Sequence, residues 1–144
     1  MGLDISSKSK KDYHYSYSGI YYIRFMAYRT SGGDKPYLDY YSSMTADEFP
    51  DDVEKAIKQF PNLCWHSDCD GTYTVRGKVA SYENPGTLQK GNSKGLLSEL
   101  QYIKDNLPKK HDPTVTDRDW YVFNMLYELV KDVVENYDGK IEFN

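Results

Sequence analysis

Side chains that could perform chemistry are concentrated in one short segment, Asn62 to Gly71. It holds both cysteines of the chain, one of its three histidines and two aspartates: Cys64, His66, Asp68, Cys69 and Asp70. A short apolar run from Leu63 to Trp65 leads into this polar group. The pattern predicts a turn at the mouth of a buried element, and we refer to residues 62–71 as the central segment.

One chemistry that this composition predicts is nucleophilic catalysis by a cysteine. Cys69, activated by His66 and oriented by a carboxylate, would have the elements of a hydrolase or a transferase. The candidate orienting residues are Asp68 and Asp70. A neighbouring imidazolium lowers the pKa of a thiol and so increases its thiolate fraction. The alternative is structural, because small thiols often fill a core and aspartates before a glycine often form turns and caps.

The same segment also contains potential metal ligands. Cys64, His66 and Cys69 are soft ligands, and His14 could complete a tetrahedral zinc site, but the paired C-x-x-C spacing of structural zinc sites is absent. The aspartates resemble the start of a calcium loop, yet its twelfth position is Val79 and not an acid. The sequence therefore predicts neither a metal nor a cofactor.

Tyrosine is the most unusual feature of the composition. The chain has fifteen tyrosines and five phenylalanines. A tyrosine surplus is typical of half-buried surfaces such as interfaces and ligand pockets, because each ring carries a hydroxyl that needs a partner. The predicted ligand contacts are Tyr13, Tyr15, Tyr21, Tyr40, Tyr41 and Trp65. Arg24, Arg29, Arg76 or Arg118 could bind a phosphate. In the alternative interpretation these tyrosines belong to the core and the arginines pair with carboxylates.

Length and charge limit the class of protein. With 144 residues the chain suits a single globular domain, 1–144, that buries about two-thirds of its unfolded surface. No apolar run approaches the roughly 20 residues that span a membrane, and a net charge of -4 disfavours bulk nucleic acid as a partner. Two close cysteines without a secretory apolar region predict a reducing cytoplasm.

The elements that must position these residues are mainly helical. Apolar residues at spacings of three and four predict helices at 18–29, 45–59, 93–107 and from Thr116 to about residue 137. Thr116 with Asp119 predicts a capping box, and Ser93 is the predicted cap of the preceding helix. Residues 72–82 fit either a strand or a short helix that Thr74 opens, and we favour the helix.

Alternation predicts strands at both ends of the chain. Tyrosines alternate with polar residues from Tyr13 to Tyr17, and Ile141 to Phe143 alternates in the same way. We expect the C-terminal strand to pair with Leu3 to Ile5. The predicted class is therefore α+β: a mainly helical single domain of about four to five helices, with a small sheet formed by the N- and C-terminal strands.

The order of several motifs resembles that of a known group of proteins. Met1 to Ser6 reads MGLDIS, His66 to Gly71 reads HSDCDG, and Trp120 and Phe123 lie on a last helix before Ile141 to Phe143. This arrangement resembles uncharacterised small proteins encoded by phages, prophages and bacteria, and it spans nearly the whole chain. The resemblance implies a bacterial or viral setting but no particular activity.

The resemblance and the tyrosine surplus together predict a non-enzymatic accessory protein of phage or prophage type. It would act in the cytoplasm of a bacterial host, where it would bind and inhibit or sequester a defence protein or a small signalling nucleotide. The alternative is a cysteine-dependent hydrolase or transferase that uses Cys69 with His66 and either Asp68 or Asp70. The sequence leaves the oligomeric state open, a homo-oligomer included.

Overall fold

A computed structural model describes residues 2–9, 13–37, 51–63, 65, 71–73 and 92–143 of the chain. Within these ranges four α-helices accompany a four-stranded sheet. The helices are α1 (Tyr17–Thr30), α2 (Asp51–Gln59), α3 (Ser93–Asn106) and α4 (Asp117–Asn136). The strands are β1 (Gly2–Ser7), β2 (Tyr13–Ser16), β3 (Gly71–Tyr73) and β4 (Ile141–Phe143). The predicted α+β class is confirmed.

The terminal strands lie next to each other in the middle of the sheet. The strand order is β2-β1-β4-β3, and every neighbouring pair is antiparallel. The pairing of β1 with β4 joins Ile5 to Phe143 and Ser7 to Ile141, whereas Leu3 pairs with Tyr15 of β2. The predicted contact between the two ends of the chain is confirmed, but it covers Ile5 to Ser7 and not Leu3 to Ile5, and Ile5 pairs with Phe143 on one side and with Tyr13 on the other.

The central segment contributes its last residue, Gly71, to the edge strand β3. Gly71 lies opposite Phe143, and Tyr73 lies opposite Ile141. Of the residues that the sequence left undecided between helix and strand, 72–73 form a strand. Residues 74–91 lie outside the described part of the chain, so the favoured helix at 74–82 stays a prediction.

Local signals at the start of α4 act as predicted. The hydroxyl Oγ1 of Thr116 accepts from the backbone N–H of Asp119 at 3.3 Å, and the Asp119 carboxylate accepts from the Thr116 N–H at 2.8 Å. This capping box satisfies two N–H groups at the helix start. The buried side of α4 includes Phe123, Leu126 and Val130, in accordance with the predicted apolar stripe.

Helix α3 begins differently from the prediction. Asn92 is the N-cap, and its side-chain oxygen accepts from the N–H groups of Lys94 at 3.0 Å and Gly95 at 3.1 Å. Ser93, the predicted cap, is the first helical residue and is fully buried. Asn and Ser are about equally good caps, so position along the chain alone did not distinguish them.

The core lies between the helices and one face of the sheet. Ile5, Tyr73, Ile141 and Phe143 come from the strands and are at most 1% exposed. Helix α2 is described from Asp51 onwards, within the predicted range 45–59. No helix in the described ranges is long and apolar enough to cross a bilayer.

Candidate functional site

An aromatic recess of about 350 Å³ lies between α1 and the start of α4. The side chains that matter for its chemistry are Tyr21, Tyr22, Phe25, Pro36, Tyr37 and Arg118. We call this recess the aromatic cleft. Its size falls within the range of about 300 to 1,000 Å³ that small-molecule sites occupy.

The inner wall of the cleft comes from consecutive turns of α1. Tyr21, Tyr22 and Phe25 share one side of the helix because residues three and four apart are neighbours on a helix surface. The rings of Tyr21 and Tyr22 meet edge to face, with centroids 6.0 Å apart. Phe25 is buried at the floor, whereas the two tyrosines are half-buried and keep part of their surface towards water.

Arg118 supplies the positive charge of the cleft. Its guanidinium carbon lies 5.6 Å from the centroid of the Tyr22 ring, a cation–π contact. Among the residues that the structure describes, Arg118 makes no ion pair. Because the Arg118 side chain is also exposed, its guanidinium can bind an anion from outside the protein.

A buried ion pair connects the two rims of the cleft. Arg29 Nε donates to Asp112 Oδ2 at 2.5 Å, and Arg29 Nη1 donates to the Lys35 carbonyl oxygen at 2.8 Å. Asp112 Oδ1 also accepts from the N–H of Thr114 at 2.9 Å and from its hydroxyl at 2.6 Å. Burial opposes the charge of Asp112, but the bonds from Arg29 and Thr114 outweigh it and hold the pKa of Asp112 below its usual value.

The rim that carries Tyr37 is held against α1 by Tyr28. The Tyr28 hydroxyl donates to Asp52 Oδ2 at 2.7 Å and accepts from the Lys35 N–H at 3.2 Å. A Cβ added at Gly33 would lie 2.3 Å from the Tyr28 ring, so only glycine lets the chain cross that ring so closely. Tyr37 itself is 55% exposed. The cleft therefore has a fixed inner wall and an exposed ring at its mouth.

A second polar region lies where the chain enters the central segment. The Glu99 carboxylate of α3 accepts from the N–H of Asn62 at 2.9 Å, from its side-chain Nδ2 at 2.5 Å and from the N–H of Leu63 at 3.3 Å. Asn62 Oδ1 accepts from the N–H of Asn92 at 3.1 Å. We call Asn62, Glu99 and Asn92 the α3 junction.

Burial controls the ionisation of this region. Burial raises the pKa of Glu99 to about 7, although the bonds from Asn62 and Leu63 act in the opposite direction. The Tyr73 hydroxyl is fully buried and has no hydrogen-bond partner among the residues that the structure describes. Burial, and then the charge of Glu99, raise the pKa of Tyr73, against the smaller opposing effect of Arg24.

Of the predicted ligand contacts, the structure brings Tyr21 into the aromatic cleft. Trp65 is 0% exposed and its indole N–H donates to the Phe60 carbonyl at 2.9 Å, so it is a core side chain and offers no surface to a ligand. Arg24 is 2% exposed within α1 and likewise offers none. These two placements correct the prediction of surface contacts, because burial depends on distant segments and does not follow from local spacing.

The other predicted site residues fall in parts of the chain about which less can be said. Tyr13 and Tyr15 lie in β2, opposite Ile5 and Leu3. The following lie outside the described residues and stay predictions: Tyr40, Tyr41, Cys64, His66, Asp68, Cys69, Asp70 and Arg76. Within the described ranges, no group of three or more His, Cys, Asp or Glu residues could hold a metal ion.

Three aromatic residues of the cleft were missing from the predicted contacts: Tyr22, Phe25 and Tyr37. The first two carried a usable signal, since Phe25 lies one turn after Tyr21 and Tyr22 on a predicted helix. Tyr37 had none, because the position of a ring beyond the end of a helix depends on how the following chain folds back.

The described lining of the cleft suits binding better than bond breaking. It offers aromatic faces and one cation, and it contains no cysteine or histidine. Its one carboxylate, that of Asp119, already accepts the Thr116 N–H in the capping box. Comparisons of the chain with protein-family models, with curated proteins and with solved structures found no match.

Proposed function

We propose that this protein is a non-enzymatic accessory protein of phage or prophage type that binds a small signalling nucleotide of its host in the aromatic cleft and sequesters it. One observation carries the proposal: the Arg118 guanidinium has no carboxylate partner among the described residues and lies against Tyr22 in a recess of about 350 Å³. The sequence resemblance described above supports the bacterial or viral setting.

The two halves of a nucleotide match the two kinds of group in the cleft. Stacking of one base on an aromatic side chain contributes about 1 to 3 kcal/mol. The half-buried Tyr21 and the exposed Tyr37 offer ring faces to a base, one from the wall and one from the mouth. The fork of an arginine binds two phosphate oxygens at once, and Arg118 is close enough to the rings for one ligand to use both.

The charge balance favours a small anion over a polymer. The chain carries a net charge of -4, so its average field repels a long phosphate backbone. Arg118, which pairs with no carboxylate of the described ranges, still attracts one phosphate group at short range. We therefore expect a mononucleotide or a cyclic nucleotide rather than DNA or RNA.

Thermal-shift measurements and calorimetric titrations with nucleoside monophosphates and cyclic nucleotides test this proposal. A ligand at 100 times its Kd would stabilise the protein by about 2.7 kcal/mol. Inorganic phosphate and free nucleosides, used separately, should each bind more weakly than the joined molecule, because each engages only one part of the cleft. If no nucleotide of the panel stabilises the protein, the proposal is wrong.

A pair of charge-matched variants tests whether binding occurs at the cleft. Arg118→Gln should weaken nucleotide binding by about tenfold to a hundredfold, the effect of losing a charge-assisted hydrogen bond. Lys94→Gln, on the exposed surface at the start of α3, removes the same charge away from the cleft and should leave the affinity unchanged. Equal effects of the two variants would mean that only net charge matters.

A host defence protein is the second candidate partner. Tyr37 lines the cleft together with Arg118, and Tyr121 lies three residues after Arg118 on α4. The two tyrosines are 55% and 69% exposed, and tyrosine and arginine are enriched in the centres of protein interfaces. This version predicts that nucleotides have no effect. It also predicts that Tyr37→Ala and Arg118→Gln each release a host protein that the wild type retains in cross-linking and pull-down, while Lys94→Gln retains it.

The cysteine enzyme predicted from the central segment stays a prediction, because Cys69 and its proposed partners lie outside the described residues. Thiol reactivity tests it directly. Slow alkylation of both cysteines with an ordinary pKa near about 8.5 would exclude an activated nucleophile.

A further inference from the structure

The α3 junction joins two parts of the chain that are far apart in sequence. Asn62 follows α2, and Glu99 is 37 residues further along, in the second turn of α3. Both oxygens of the carboxylate are used: Oε1 accepts the N–H groups of Asn62 and Leu63, and Oε2 accepts the Asn62 amide. One carboxylate therefore holds three donors of a two-residue turn.

Asn62 also fixes the start of α3. Its Oδ1 accepts the N–H of Asn92, the residue whose own side chain caps the helix. The orientation of the Asn62 amide is thus determined twice, since the oxygen must face Asn92 and the nitrogen must face Glu99. A reversed amide would direct its NH₂ group at the Asn92 N–H and lose both bonds.

Close packing reinforces these hydrogen bonds. Asn62 is 5% exposed, and a Cβ added at Gly95 would lie 2.5 Å from its Nδ2 atom. Gly95 in the first turn of α3 therefore leaves the space that the amide occupies. A glycine inside a helix costs about 1 kcal/mol relative to alanine. At position 95 the glycine makes room for the hydrogen-bonded Asn62 amide.

Trp65 shows what the junction keeps in place. It lies three residues after Asn62, is 0% exposed, and donates its indole N–H to the Phe60 carbonyl. Leu63 between them is 1% exposed. The Glu99 carboxylate bonds the backbone that carries these two buried side chains to α3.

We propose that Asn62 and Glu99 form a polar latch, a conformational device that fastens the chain after α2 onto α3 and positions Asn62, Leu63 and Trp65. When the latch is released, Asn62 and Leu63 separate from α3 and Trp65 meets water, while α1 and α4 stay packed. Local openings of this kind are cooperative units below the level of global unfolding. This proposal concerns a region away from the aromatic cleft and does not depend on the proposed function.

Gly95→Ala is the sharpest test because it acts on the latch through space and leaves both latch residues in the chain. Alanine favours the helix itself, so any local loosening must come from the displaced Asn62 amide. Asn62→Ala is the second variant, since it removes the side-chain bonds directly. Ser98→Ala, at an exposed position of the same helix, is the matched control.

The readouts are the accessibility of Trp65 and the hydrogen exchange of nearby amides. Trp120→Phe provides a background in which Trp65 is the one tryptophan, because the chain has two. In that background Gly95→Ala and Asn62→Ala should each raise acrylamide quenching of Trp65 about threefold. They should also raise hydrogen exchange of the backbone amides at positions 62 and 63 about tenfold. Exchange in α4 should stay unchanged.

Two results would overturn the latch. One is unchanged quenching and exchange in Gly95→Ala, with a circular dichroism spectrum like that of the wild type. The other is a rise in exchange that extends equally through α1 and α4, which would mean that the residues contribute only to global stability. If Asn62→Ala does not fold, Gly95→Ala alone decides between these outcomes and the expected local opening.

Discussion

The aromatic cleft and the α3 junction contain matched carboxylates in opposite electrostatic states. Asp112 accepts from Arg29 and twice from Thr114, and Glu99 accepts from Leu63 and twice from Asn62. Each therefore has three donor groups, but only Asp112 has a cation among them. The pKa of Asp112 is lowered, whereas that of Glu99 is raised to about 7.

The difference shows that the number of donors does not by itself decide whether a carboxylate keeps its charge, because burial opposes the charge at both sites. Neutral N–H groups lower the pKa of Glu99 but do not overcome its burial. Beside the cleft, the bonds from Arg29 and Thr114 together outweigh burial and keep the charge on Asp112. The cleft is thus built around a permanent ion pair, and the junction around a group that changes charge near neutral pH.

The two regions should therefore depend on pH in opposite directions. The folded state holds the Glu99 proton more tightly than the unfolded chain, so the stability that Glu99 contributes is complete below its unfolded pKa and is lost as pH rises through about 7. Asp112 contributes stability above its unfolded pKa, and this is lost as pH falls through its lowered folded pKa.

The largest effect is expected for Glu99→Gln. Between about pH 5 and pH 8, ionisation of Glu99 should remove about 3 kcal/mol from the free energy of unfolding of the wild type. Glutamine does not titrate, so the variant should lose that part of the pH dependence. Urea denaturation at several pH values measures it, and parallel curves for wild type and variant would contradict the junction half of the comparison.

Asp112→Asn should lower the free energy of unfolding by removing the ion pair beside the cleft. Because the ion pair with Arg29 is largely buried, removing its negative charge should cost about 2 kcal/mol near neutral pH. The difference from the wild type should shrink as pH falls below about 4, since Asp112 is then losing its own charge. Asp105→Asn, on the exposed side of α3, is the control. A difference that stays constant with pH would refute the role of the charge.

A smaller effect is expected at the helix that forms one side of the cleft. Thr116→Ala removes the hydroxyl that accepts the Asp119 N–H, and loss of an N-cap costs about 1 kcal/mol. Thr116→Ser keeps the hydroxyl and should stay close to the wild type in thermal unfolding. Equal loss in both variants would show that the threonine methyl group, and not the cap, is responsible.

The smallest effect sharpens the description of the junction. The Tyr73 hydroxyl is buried and has no hydrogen-bond partner in the described part of the chain. Tyr73→Phe should therefore leave stability unchanged or raise it by up to about 1 kcal/mol. The ring stays packed on Phe143, 4.6 Å between centroids. A loss of more than about 1 kcal/mol in chemical denaturation would mean that the hydroxyl has a partner in solution.

Local patterns predicted the parts of this fold that form within one or two turns of chain. The capping box of Thr116 and Asp119 joins residues three apart, and the apolar stripe of α4 repeats every three or four residues. The start of α3 shows the limit of such reasoning. Asn92 and Ser93 are adjacent and both can cap, and the bond from the Asn92 N–H to Asn62, 30 residues earlier, accompanies the choice of Asn92.

The site was harder to predict because the state of an arginine depends on distant partners. Arg24 is buried, Arg29 pairs with Asp112 from a loop 83 residues away, and Arg118 lies on Tyr22. Nothing in the sequence around these three arginines distinguishes them. Tyr21, a predicted ligand contact, lines the cleft, but the residues at the mouth come from separate parts of the chain.

Residue types and their spacing were enough to establish the α+β class, the main helices and the meeting of the two terminal strands. Helix periodicity, caps and strand alternation are short-range properties, which any chain with these residues would share. Packing of α1 on α4 placed Arg118 against Tyr22, where it has no ion pair with a described residue. Packing of α3 on the Asn62 turn buried the Glu99 carboxylate. Burial and charge pairing act through space, so they exist only once the distant segments have come together.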